Sequence, residues 1–175
     1  MLKAATISYR IGRKQLLKNV SAAFDPGKCH VLLGPNGSCK STFLKILSGD
    51  PLHYEGHVWY QDEPVKKLRT MQLARFRAVM SQQPDLQFPL QVEEVVMMGR
   101  YPHFDFNPSP KDIAICDAAI TKLDLDAFRG RNYMTLSGGE KQRVHFARVL
   151  AQVWEAPVKG GQRYLLLDEP LNNLD

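Results

Sequence analysis

Gly34-Pro35-Asn36-Gly37-Ser38-Cys39-Lys40-Ser41 lies between an apolar run, Cys29 to Leu33, and a helical pattern, Thr42 to Leu47. Strand, glycine-bearing loop, then Lys-Ser opening a helix is the layout of a phosphate-binding loop. The first N–H groups of a helix have no intrahelical partner, and the helix dipole places partial positive charge at that end. A polyphosphate supplies both acceptors and negative charge. Lys40 adds a full charge near the outer phosphates, and the Ser41 hydroxyl is suited to help hold Mg²⁺. The usual pattern has Gly directly before the Lys, and this chain has Cys39 there. Taken alone, the stretch reads equally as a nucleotide site and as a structural glycine turn.

Toward the N-terminus, residues 3 to 33 read as strands and turns. Ala5, Ile7 and Tyr9 alternate with polar residues, Gly12 marks one turn and Asp25-Pro26-Gly27-Lys28 another. Toward the C-terminus, the loop's helix carries Phe43, Leu44 and Leu47 on one face and stops at Gly49. His57 to Gln61 reads as a strand, about Leu68 to Arg77 as a basic helical segment, and Ala78 to Ser81 as a short strand.

Prolines 84, 89, 102, 108 and 110 then punctuate the chain around a short helix, about Val92 to Gly99. Ser109-Pro110-Lys111-Asp112 is a helix start, with Ser as N-cap, Pro in the first turn and an acid three residues on. Ile113, Cys116, Ile120 and Leu123 follow at helical spacing. Residues 84 to 135 read as a helical subdomain inserted into an α/β core. Leu136-Ser137-Gly138-Gly139-Glu140 opens the longest helix, with Ser137 and Glu140 at capping-box spacing and an apolar face of Val144, Ala147, Leu150 and Trp154. Pro157 and Gly160-Gly161 end it in a loop. Tyr164-Leu165-Leu166-Leu167 reads as a buried strand running into Asp168-Glu169-Pro170.

Two carboxylates at the end of an apolar strand are costly unless positive charge is near. A Mg²⁺–nucleotide would provide it, with Asp168 toward the metal and Glu169 as general base for a water. An exposed Asp-Glu-Pro turn is the plainer alternative. Ser137 and two glycines at a helix start form a second anion-seeking end, for which an ordinary cap is the alternative. Two such ends in one chain invite a dimer, in which the second end of one copy meets the nucleotide of the other.

Composition narrows the classes. The chain has 175 residues, 44% of them hydrophobic and 23% charged, which suits an ordinary globular protein. A net charge of +5 fits anionic ligands or an anionic surface, and equally a solvated basic surface. No Lys/Arg tract points to nucleic acid. Cys29, Cys39 and Cys116 form no CxxC pair and no metal pattern with the histidines, and they suit a reducing compartment. The run Val95-Val96-Met97-Met98 is far too short to span a bilayer, which leaves peripheral attachment open.

With these motifs in order, the chain resembles the nucleotide-binding subunit of an ATP-binding-cassette (ABC) transporter over nearly its whole length. Tyr9 matches the aromatic that stacks on adenine. Residues 34 to 41 match Walker A, and Gln82 the Q-loop glutamine that senses Mg²⁺ and the attacking water. Residues 136 to 140 match the signature motif, 164 to 169 Walker B with the catalytic glutamate, and Leu171-Asn172-Asn173-Leu174-Asp175 the D-loop. The resemblance implies an α/β fold: a P-loop (RecA-like) core, an N-terminal antiparallel β subdomain and the inserted helical subdomain. It implies ATP and Mg²⁺ as cofactors. Glu169, Gln82 and Lys40 become the catalytic group. Tyr9, Gly34 through Thr42, Ser137, Gly138, Gly139 and Asp175 become the nucleotide contacts, with Ser41, Gln82 and Asp168 around the metal.

Within the family the chain is most similar to the iron-chelate and vitamin B12 importers, through Phe88-Pro89-Leu90-Gln91-Val92-Glu93-Glu94-Val95-Val96-Met97-Met98-Gly99-Arg100-Tyr101-Pro102-His103. It is similar to the heme (hemin) importers through Ala147-Arg148-Val149-Leu150-Ala151-Gln152-Val153-Trp154 and the longer loop before Tyr164. The partners implied are a second copy in a head-to-tail ATP sandwich, transmembrane permease subunits and, indirectly, a periplasmic or surface substrate-binding protein. No nucleic acid is expected. The place implied is the cytoplasmic face of the inner membrane, held peripherally.

Three departures accompany the resemblance. Cys39 replaces a glycine, and Leu171 and Asn172-Asn173 differ from the commoner Thr-Ser-Ala. The family's switch histidine and last core elements have no counterpart before Asp175, and His30, His53, His57, His103 and His145 are out of order to replace that histidine. The chain is therefore expected to be incomplete at its C-terminus. Two other readings compete: a soluble ABC-type ATPase of translation or repair, and an inactive truncated fragment.

Overall fold

The computed structural model describes residues 1–50, 53–81, 86, 88–155 and 161–169. The chain forms two compact units, Met1–Thr70 and Met71–Asp175.

In the first unit, β1 (Leu2–Ile11) and β2 (Lys14–Phe24) form an antiparallel hairpin about Gly12, whose φ is +56°. β3 (Glu55–Tyr60) pairs antiparallel on the other side of β1, followed by β4 (Glu63–Pro64). The sheet order is β2-β1-β3-β4. Gly56 allows the β1–β3 approach: its φ is +94°, and a Cβ there would lie 2.5 Å from the carbonyl oxygens of Ala5 and Thr6. α1 (Lys40–Ser48) buries Phe43, Ile46 and Leu47, and Gly49 closes it in the left-handed conformation at φ 83°. The buried Tyr60 hydroxyl donates to the Leu47 carbonyl at 2.7 Å, pinning the end of α1 to the sheet.

One element differs from expectation. Cys29–Leu33 is not a strand, and Val31 and Leu33 are 70% and 89% exposed. Strand structure requires a ladder of inter-strand hydrogen bonds. Among the described residues no strand pairs with this run, so its apolar sequence lacks the partner that its periodicity anticipates.

In the second unit, a short helix α2 (Thr70–Ala74) leads to β5 (Arg77–Met80), which pairs in parallel with β6 (Tyr164–Leu167). α2 is shorter than the expected 68–77 segment because β5 already begins at Arg77. β6 is less enclosed than expected: Leu166 is buried, but Leu165 is 39% exposed. Parallel strands are normally covered on both faces, and among the described residues this sheet has only two strands.

α3 (Val92–Met97), a 3₁₀ segment (Met98–His103), α4 (Pro110–Lys122) and α5 (Gly138–Gln152) build the helical part. Their core joins Val92, Val95 and Val96 of α3 with Ile115, Cys116, Ala119 and Ile120 of α4 and Val144, Ala147 and Ala151 of α5. Ile113, expected on the inner face of α4, is 48% exposed, because the buried stripe runs through Ile115 instead. α5 also buries a second side, Val149 and Val153, against Ala78 and Met80 of β5. A helix covered on two sides shows a wider apolar face than one stripe, which is why Val149 and Val153 join the expected residues while Leu150 is only half-buried. The loop expected at Pro157 to Gly161 lies mostly outside the described residues.

Candidate phosphate-binding and hydrolysis site

The first set of candidate residues belongs to the N-terminal unit. Gly34 to Ser38 form an exposed loop ahead of α1, and Cys39 after them is half-buried. The loop closes on itself through Ser38 N–H to the Pro35 carbonyl at 3.2 Å. A Cβ on Gly34 would sit 2.7 Å from Ser38 Oγ. Gly37 and Cys39 both occupy the left-handed region, at φ +81° and +64°. Cys39 therefore stands in a backbone conformation that favours glycine, and a non-glycine residue there costs about 1–2 kcal/mol. Its thiol lies 3.5 Å from the Gly37 carbonyl.

Phe43 N–H donates to the Cys39 carbonyl at 3.0 Å and opens the helical ladder. The amides of Lys40, Ser41 and Thr42 precede it, at the positive end of the α1 dipole, and the first turn holds no acid that would oppose an anion. The Lys40 ammonium arches back over the loop to the carbonyls of Gly34 and Pro35, at 2.9 and 3.0 Å. An ammonium has three donors, so this grip fixes the charge over the loop and leaves a proton for an incoming anion. The donor set fits a polyphosphate: amides at a helix end, a hydroxyl at Ser41 and a held cation. Tyr9 stands half-buried in β1.

The second set of candidate residues belongs to the C-terminal unit. β5 and β6 are parallel and in register, Met80 opposite Leu167, and Asp168 N–H extends the ladder to the Met80 carbonyl at 2.8 Å. Both strands thus deliver their carboxyl ends to one edge, where open α/β sheets bind ligands. Asp168 and Glu169 lie at that edge, half-buried. Glu169 has φ 49°, a conformation that recurs at functional sites where the surroundings hold it. Gln82 follows β5 by two residues and falls, like Asp175, outside the described residues. Among the described residues no cluster of three or more His, Cys, Asp or Glu side chains forms a metal cage.

The third set lies at the start of α5. Ser137 Oγ accepts from Glu140 N–H at 3.4 Å, and the Glu140 carboxylate accepts from Ser137 N–H at 2.7 Å, the expected capping box. Gly138 leaves the helix end open, with nothing within 4 Å of a built Cβ.

Two histidines are held within the helical part. His145 is buried against Tyr133, whose hydroxyl lies 2.6 Å from Nε2. His103 Nε2 lies 2.8 Å from the Gln152 carbonyl.

One polar centre went unrecognised in the sequence. Arg100 is 1% exposed and donates from Nε to Asp112 at 2.9 Å, from Nη1 to the Ala151 carbonyl at 2.8 Å, and from Nη2 to Glu155 at 3.0 Å. Burial pushes the Asp112 carboxyl up, but hydrogen bonds from Ser109 and Arg100 outweigh it and hold it below the ordinary range. Asp112 reads locally as a cap acid. Only an arginine between an apolar helix and a proline-rich run hinted that it had a second partner.

Comparison with known proteins completes the picture. Residues 17–172 match the ABC transporter family. The chain is 45% identical over 174 residues to the hemin import ATP-binding protein HmuV of Bordetella avium (strain 197N), covering 99% of this chain and 66% of that protein. It is 45% identical over 175 residues to HmuV of Pseudomonas fluorescens (strain Pf0-1), covering 100% of this chain and 67% of that one. The chain thus spans about two thirds of the length of these curated relatives. Among solved structures, the dimeric bacterial ABC transporter cassette MJ0796 superposes with a TM-score of 0.80 at 27% identity, covering 100% of this chain and 76% of that one. A loop that holds Lys40 over a helix end, carboxylates at the ends of parallel strands and a match over residues 17–172 lead to one conclusion: the chain belongs to the ABC transporter family.

Proposed function

We propose that this protein binds and hydrolyses ATP to energise an importer for heme or a related iron chelate. The observation that carries the reading is the helix end of α1 under the Lys40 ammonium, in a chain 45% identical to a hemin import ATP-binding protein. Gly34 through Thr42 hold the phosphates, and Tyr9 stacks on the base. Ser41, Asp168 and Gln82 hold Mg²⁺, which when bound offsets charge on the transferred phosphoryl group. Glu169 takes the proton of the attacking water. Ser137, Gly138 and Gly139 of a second copy face the nucleotide from the other side, near Asp175, so two copies close head to tail over two ATP. Most of the rate comes from positioning and charge stabilisation by Lys40 and the opposing helix end.

In this reading residues 84–135 are the inserted subdomain that meets permease subunits, and a substrate-binding protein outside the membrane chooses the cargo. No helix among the described residues is long and apolar enough to cross a membrane, which agrees with peripheral attachment to the permease at the cytoplasmic face. In the full-length protein, Glu169→Gln is expected to keep Mg-ATP affinity and to lose turnover by about 10²-fold or more. Phosphate release at the parental rate would remove Glu169 from its role. Co-purification with ribosomes or DNA, rather than with a polytopic membrane subunit, would overturn the importer reading.

A further inference from the structure

The segment Met98–His103 grips one face of α5 at three successive points. A Cβ on Gly99 would lie 2.1 Å from the Arg148 carbonyl oxygen, so only glycine lets the two backbones meet there. Arg100 Nη1 donates to the Ala151 carbonyl and His103 Nε2 to the Gln152 carbonyl, each at 2.8 Å. Arg148, Ala151 and Gln152 follow helical spacing along the C-terminal half of α5. The Gln152 side chain in turn donates to the carbonyls of Ala74 and Arg77, at 2.7 and 3.1 Å, where β5 begins. Arg100 is also held from behind by Asp112 and Glu155, and Lys111 pairs with Glu155. Tyr101, within the same segment, is 55% exposed.

The grip is at one end of α5, and Ser137, Gly138 and Gly139 are at the other. A helix of 15 residues is about 22 Å long, so a tilt of about 10° at the gripped end swings the far end by about 4 Å. That exceeds a hydrogen-bond length, and misplacement of even about 1 Å is costly at a reacting centre. We propose that Arg100 and His103 are positioning residues, which hold the C-terminal end of α5 and so set where its Ser137–Gly139 end points. The proposal rests on reading that end as the element that meets the nucleotide of a second copy.

The test uses the full-length protein carrying Glu169→Gln, with Mg-ATP as ligand. Two quantities are measured: ATP affinity at protein concentrations below dimerisation, and the ATP-dependent dimer constant by sedimentation. Arg100→Lys keeps the charge but loses the forked grip. It is expected to leave ATP affinity within twofold and to weaken the dimer at least tenfold. His103→Ala is expected to weaken the dimer about threefold, and it decides the matter if Arg100→Lys fails to fold. A parental dimer constant in both variants overturns the proposal. So does a parallel loss of ATP affinity and dimer, the signature of a merely structural role. A parent that binds ATP but never dimerises overturns the clamp together with the dimer reading, and that failure shows in the chain that still has Arg100 and His103.

Discussion

Cys39 carries the sharpest residue-scale consequence. Its φ of +64° places a side chain where glycine is the ordinary occupant, at a cost of about 1–2 kcal/mol. The substitution leaves the backbone N–H of this position in place, so phosphate binding is expected to survive with reduced affinity. Cys39→Gly is expected to tighten Mg-ATP binding by up to about tenfold, since about 1.4 kcal/mol is a factor of ten. It should also abolish inhibition by thiol reagents at the loop. Titration of Mg-ATP into both forms, before and after alkylation, measures both effects. Equal affinities and equal sensitivity would make Cys39 a silent substitution. Glu169, half-buried and at φ 49°, also holds backbone that most L-residues avoid.

At the scale of elements, two capping boxes differ in what depends on them. Ser109 caps α4 at 3.2 Å from Asp112 N–H, and its hydroxyl donates to Asp112 at 2.6 Å. That acid is 5% exposed and also holds Arg100. Ser109→Ala therefore removes a cap worth about 1 kcal/mol and leaves a buried carboxylate short of a donor. A loss of about 2 kcal/mol in denaturant unfolding is expected. Ser137 caps α5 through a longer bond to an exposed partner, so its replacement by Ala should cost about 0.5–1 kcal/mol. Equal losses in the two variants would refute this ordering.

At the scale of the whole molecule, pH acts on folding through His145. Burial, reinforced by the nearby Arg148 charge, lowers its pKa from 6.5 to about 4. The folded chain therefore binds fewer protons than the unfolded chain between those values. The stabilisation that His145 contributes is fully present above pH 6.5, falls as pH drops through the window and is lost by about pH 4, a total of about 3 kcal/mol. His103 is lowered in the same sense, chiefly by burial, and adds to the slope. Unfolding free energies at pH 7 and pH 4.5 measure it. His145→Gln should flatten most of the difference, and an unchanged slope would place the titration elsewhere.

The sequence by itself determined the local grammar of this protein. The stop of α1 at Gly49 and the caps Ser109 and Ser137 are set by neighbours a few residues away, and all are legible in order. So was the family, because its motifs are short and contiguous. Tertiary structure alone decided the rest. Cys29–Leu33 has the composition of a strand but forms none, since a strand exists only where another backbone pairs with it. Ile113 lost the inner face of α4 to Ile115 because helix packing, not spacing, selects the buried stripe. Arg100, Asp112 and Glu155 are separated by up to 55 residues in sequence. Only folding puts a buried guanidinium between them, because a charge leaves water only where several partners converge to replace it.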